Sequence, residues 1–111
     1  MKDKVNGAVP DDVLTKLLRS HVGRVSCEHL CYSDKERGRI LFAKKLSRAW
    51  PLIEQCVELA HDKSKAFKPK YMRNCLRMCV DESWCTDAYK EKLVTKIWKV
   101  ASEHYKNGDA I

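Results

Sequence analysis

Apolar and polar residues nowhere alternate over a strand's length in this 111-residue chain, and its four glycines and three prolines leave few positions suited to hairpin turns. A β-sandwich or barrel is thereby excluded. Internal repeats and low-complexity segments are also missing, which removes solenoid architectures. No apolar run approaches the roughly 20 residues that cross a bilayer, and residues 1–10 contain no apolar stretch, so neither anchor nor targeting signal is expected. The chain has no glycine-rich phosphate loop, no Gly-x-Ser-x-Gly elbow and no His-Glu-x-x-His, and its acidic residues are spread out, not paired. A Cys–His nucleophile would need a proximity that sequence does not supply. The expectation is a protein that is not an enzyme and uses no cofactor.

What is present is helical. Hydrophobic residues make up 44% and charged residues 33%, a globular balance, and one domain is expected at this length. The expected fold is all-α, a compact bundle of four or five helices around one core, with residues 1–9 as a flexible lead-in and 10–107 as a single helical domain. Pro10, Asp11 and Asp12 suit a helix start, and Val13, Leu14, Leu17, Leu18 and Val22 draw one stripe that Gly23 should stop. Residues 24–32 read as one or two further turns. Ser33-Asp-Lys-Glu36 reads as a capping box for a long helix, along which Phe42, Leu46, Ala49, Ile53, Cys56 and Ala60 form a seam widened by Leu52 and Leu59. Pro51 predicts a kink or break near Trp50. After a polar link over 62–68, Pro69 should open a helix reaching about Trp84, with Met72, Cys75, Leu76, Cys79, Val80 and Ser83 on its apolar stripe. Its charges oppose the helix dipole, because Lys68, Lys70 and Arg73 crowd the positive end while Asp81 and Glu82 crowd the negative one. Thr86 or Asp87 should cap a last helix with Tyr89, Leu93, Ile97, Val100, Ala101 and Tyr105 inward, Val94 and Trp98 beside them, and Asn107-Gly108 at its end.

Six cysteines stand at 27, 31, 56, 75, 79 and 85. One reading joins the 27/31 pair to the 75/79 pair across two helices and Cys56 to Cys85, which requires an oxidising compartment. The other leaves them reduced, and it is favoured because Cys56, Cys75 and Cys79 fall on apolar stripes, where a free thiol acts as a small hydrophobe. Cys27-Glu-His29-Leu-Cys31 offers metal ligands, but the 75/79 pair lacks the turn-held knuckle of structural zinc sites, so no metal is expected.

The formal net charge of +7 is concentrated. Residues 1–34 hold five basic and five acidic side chains, 35–77 hold twelve and four, and 78–111 hold five and six. A one-sided field favours acidic partners. The expected partner-binding residues are Lys65, Phe67, Lys68, Lys70, Tyr71, Arg73 and Arg77, where lysines flank a helix start and two aromatics sit among them. Lys44 and Arg48, one turn apart, add a second strip that merges with the first if the two helices pack side by side. The bland alternative is a solvated face with Phe67 and Tyr71 stapling the helix entry.

Tyr89-Lys-Glu-Lys-Leu-Val-Thr-Lys-Ile-Trp-Lys-Val100 resembles the last helix of KIX-type coactivator domains, three-helix modules that take amphipathic activation helices. The earlier helices do not follow that family's spacing, and no functional residue is carried over from it. The expected function is a protein-interaction domain that recognises an acidic or phosphorylated protein segment through residues 35–77, inside the cell and with the nucleus as one setting. Two alternatives stand beside it: direct nucleic-acid binding through the same face, and a secreted disulfide-bonded helical carrier or effector.

Overall fold

In the computed structural model, residues 9–62 and 69–109 are described, and they form five α-helices and one 3-10 turn. The helices are α1 Asp11–Arg19, α2 His21–Leu30, α3 Lys35–His61, α4 Pro69–Cys79 and α5 Asp87–Asp109, with the 3-10 turn Glu82–Trp84 between the last two. The expectations for residues 1–8 and for the link at 63–68 lie outside the described residues. No strand occurs among the described residues. The smallest extent of the molecule is 20 Å, about two helix diameters, so each helix can turn one face to a single core and another to solvent.

The apolar stripes close that core. Val13 and Leu17 of α1, Phe42, Leu46, Ile53 and Val57 of α3, Leu76 of α4, and Leu93, Val94 and Ile97 of α5 are all buried. The long helices α3 and α5 pack on each other and each touches α2 and α4, while α1 lies against α2 and α5. At the far end of α3 the His61 ring stacks against Trp98 and Tyr105 of α5, at 6.4 and 5.4 Å between centroids.

Several boundaries differ from the sequence expectation, each for a local reason. Gly23 does not stop the first helix. Ser20 does, by leaving helical geometry; its hydroxyl donates to the Leu17 carbonyl at 2.7 Å and accepts from the Gly23 amide at 3.0 Å, ending α1 and capping α2 with one side chain. Gly23 lies inside α2, where a Cβ would come within 1.8 Å of the Leu17 carbonyl oxygen. The cap of α3 is Asp34, one residue later than the expected Ser33, and its carboxylate accepts from the Arg37 amide at 3.2 Å. No break occurs at Pro51, since α3 runs through it as one helix of 27 residues. The helix tolerates the proline with its ring on the exposed side. At the other end of the chain, α5 continues past Asn107-Gly108 to Asp109.

The largest difference is the end of α4, at Cys79 and not near Trp84. The Asp81 carboxylate accepts from the Ser83 amide at 2.8 Å and from its hydroxyl at 2.5 Å, a local arrangement that competes with continued helix. Ser83 is consequently exposed and Trp84 takes the buried place. The same turn relieves part of the unfavourable charge order. Asp81 stands beyond the last helical turn, and Lys45 of α3 reaches the Ser83 hydroxyl at 2.6 Å and the Asp81 carboxylate at 3.9 Å. Ser83's hydrogen bonds lead in holding the Asp81 carboxyl below its ordinary value of 3.8. Its stabilising contribution is present above that value and is lost as pH falls through the lowered one.

Candidate functional site

The expected binding residues are only partly together. Lys65, Phe67 and Lys68 lie outside the described residues. Lys70 and Tyr71 are exposed in the first turn of α4, with Tyr71 at 55% of its full accessibility. Arg73 is half-buried, and one turn further on Arg77 forms an ion pair with Glu91 of α5. Arg77 therefore looks toward α5. Lys44 and Arg48 are exposed on α3. Because Lys45 meets Asp81 and Ser83, just past the end of α4, while Cys56 meets Cys75 and Cys79, α3 and α4 run antiparallel. That pairing sets Lys44 and Arg48 beside the C-terminal end of α4. Lys70 and Tyr71 stand at its other end, about 15 Å away at 1.5 Å per residue.

A different set of cations is gathered into one place. Between α1 and α5 a depression of about 410 Å³ is lined by Lys16, Arg19, Ser20, Lys96, Lys99, Val100 and Glu103. A second, of about 390 Å³, is lined by Val22, Glu91, Lys92, Thr95, Lys96 and Lys99. Sharing Lys96 and Lys99, they form one open trough along α5. From Glu91 to Glu103 it extends for about 18 Å of helix rise. Five cations line it against two carboxylates, and both carboxylates are engaged: Glu103 sits 4.0 Å from Lys16, and Glu91 holds Arg77. Lys92 also lies 5.0 Å over the Tyr89 ring. Among the described residues no carboxylate pairs with Arg19, Lys96 or Lys99. Through Glu91 the trough joins Arg77 of α4, which extends it and not the strip on α3.

Regional charge sums hid this trough, since residues 1–34 and 78–111 are close to neutral. The signal that could have found it is the spacing of Lys92, Lys96 and Lys99, four and three residues apart and so on one face of α5. What sequence could not supply is the helix opposite, which adds Lys16 and Arg19.

Burial suppresses the nucleophilic, ionised form of Cys27, Cys56, Cys79 and Cys85. All six are free. Burial pushes the Cys27 and Cys56 thiols up to about 11 from an ordinary 9.0, and raises Cys79 and Cys85 as well. Below pH 9 these groups are protonated in both folded and unfolded chains. Between about 9 and 11 the unfolded chain ionises first, so stability falls as pH rises through that window. The thermal midpoint is expected to drop on going from pH 8.5 to 10.5, more in the native chain than in a Cys56→Ala variant; equal drops would place the alkaline transition elsewhere.

Cys27 and Glu28 line a small depression of about 100 Å³ with Leu18, Arg24, Lys35 and Arg39. Among the described residues no group of three or more His, Cys, Asp or Glu side chains is placed to hold a metal ion. Nor is any described helix long and apolar enough to cross a membrane. No family model, curated protein or solved structure matches the chain.

Proposed function

We propose that this chain is a non-enzymatic interaction domain that takes an acidic or phosphorylated protein segment along the trough between α1 and α5, with Arg77 of α4 at its edge. The observation that carries the reading is the convergence of Lys16, Arg19, Lys92, Lys96 and Lys99 on one groove. Arg19, Lys96 and Lys99, without carboxylate partners among the described residues, are available for charge-assisted hydrogen bonds to carboxylate or phosphate. Val22 and Val100, which line the trough and are otherwise buried, suit the apolar side chains of a peptide. A continuous nucleic-acid backbone would bring phosphates toward Glu91 and Glu103, which favours the peptide. The carrier alternative has less in its support: the depression at Cys27 is well below the roughly 300–1,000 Å³ of typical small-molecule sites, and the two larger depressions are open and lined mainly by charged side chains. The Cys27, Cys56, Cys79 and Cys85 thiols, raised by burial, likewise offer no activated nucleophile.

The test is a titration of a labelled glutamate-rich helical peptide, its phosphoserine counterpart and a duplex DNA, each over a salt series. Converting Lys92, Lys96 and Lys99 to Glu is expected to weaken peptide binding by about tenfold or more, the sum of several exposed charge interactions of up to 1 kcal/mol each. Lys44→Glu with Arg48→Glu should change it much less. Equal losses from the two sets would show that the trough is not the binding site. DNA binding tighter than peptide, with a steep linear log–log salt dependence, would replace the peptide by nucleic acid.

A further inference from the structure

A cluster of three thiols lies away from the trough. Cys56 comes from the late part of α3, Cys75 and Cys79 from α4, and all three are half-buried where these two helices pack. The Cys56 and Cys79 thiols are hydrogen-bonded to each other, and the Cys79 thiol also reaches the Cys75 carbonyl oxygen at 3.7 Å. Cys85, the partner that cysteine spacing suggested for Cys56, is instead buried beside Ser26 of α2. Cys27 is in the core as well, and Cys31 lies 4.0 Å from the Ser33 hydroxyl at the end of α2.

We infer that Cys56 and Cys79 form a reversible disulfide that staples α3 to α4, a modification site independent of the charged trough. Sulfur atoms already in hydrogen-bond contact on two packed helices have only a short approach to a bond, and their partial exposure admits a small oxidant. The oxidant required is a low-molecular-weight disulfide of the glutathione type. At about pH 9, where a fraction of these thiols ionises despite burial, one cysteine as its thiolate attacks a sulfur of that disulfide, forming a mixed disulfide and releasing one small thiolate. The second cysteine, giving up its proton, then attacks the protein sulfur of the mixed disulfide and releases the other. Two protein thiols are oxidised to one bridge while one small disulfide is reduced to two thiols, and a dithiol reverses the exchange. The bridge closes a loop of the chain from 56 to 79, which restricts the unfolded state.

The experiment is incubation of the full chain with oxidised glutathione at about pH 9, followed by alkylation and peptide mapping without reduction, alongside thermal unfolding. The expected result is one cross-linked species joining the Cys56 and Cys79 peptides, with two hydrogens lost and the thermal midpoint raised by about 10 °C, reversed by dithiothreitol. Cys75→Ser should retain this bridge, and Cys56→Ser should lose it. A bridge between Cys56 and Cys75, a bridge through Cys27 or Cys85, or only glutathione adducts would each overturn the assignment. Because mapping is done on the native chain, the result does not depend on any variant folding. Peptide binding in the trough is read separately, so failure of one proposal leaves the other standing.

Discussion

Replacing Trp84 by alanine is expected to cost about 3–5 kcal/mol, a large share of the roughly 5–15 kcal/mol that stabilises a domain of this size. Trp84 is only 2% exposed although it stands in a 3-10 turn and not in a helix. Its ring meets Phe42 of α3 edge-on, with centroids 5.2 Å apart and planes at 77°. The turn that carries it also packs on α2 and α5. Truncation would therefore open a cavity where three helices converge, with no neighbouring helix turn able to collapse into it. The thermal midpoint should fall by roughly 15 °C, using about 4 °C per kcal/mol at this length. Trp84→Phe should recover much of the loss by keeping an aromatic edge against Phe42. A midpoint within a few degrees of the native value in the alanine variant would mean that the turn does not anchor the core.

The second large effect comes from glycine, and its sign is the informative part. Alanine in a helix is ordinarily favoured over glycine by about 1 kcal/mol. Both Gly23 and Gly38 lie inside helices, yet each faces a backbone carbonyl of a neighbouring helix. A Cβ on Gly38 would stand 2.3 Å from the Cys27 carbonyl oxygen and 3.0 Å from its carbon. A Cβ on Gly23 would be nearer still to Leu17. Backbone cannot rotate away as a flexible side-chain tip can, so α2 would have to separate from α3 in one variant and from α1 in the other. Gly38→Ala is expected to destabilise by about 2–3 kcal/mol, and Gly23→Ala by at least as much. Denaturant titration decides the matter, since propensity alone predicts the opposite direction.

These two cases also mark where the sequence was legible. Periodicity carries the core well, because burial of one stripe per helix is what decides helix existence: the inward residues of α1 and α5 follow from spacing alone, whereas in α3 the expected stripe omits the buried Trp50 and Val57 and includes Leu52, which is exposed. Glycine misleads when read only as a breaker. Gly23 is required for close approach within a helix, and the residue that ends α1 is Ser20, whose hydroxyl serves two helices at once. The end of α4 was hidden because Val80 and Ser83 continue the apolar spacing, whereas a short-range carboxylate–serine arrangement at Asp81 overrides it. For the candidate site, spacing along one helix could reveal Lys92, Lys96 and Lys99. The opposing Lys16 and Arg19 depend on which helix lies across from α5, a tertiary fact carried by no local pattern.

Ser20 has one more implication. A joint of a single residue, bonded by its side chain both backward and forward, leaves α1 and α2 no slack to hinge about. Since α2 is pressed against α3 through the Gly38 contact, α1 inherits that rigidity. The wall bearing Lys16 and Arg19 is then fixed in its distance from the wall bearing Lys96 and Lys99. In the function proposed above, the trough behaves as a gauge and not as a jaw: it selects partners whose negative charges already have the right separation.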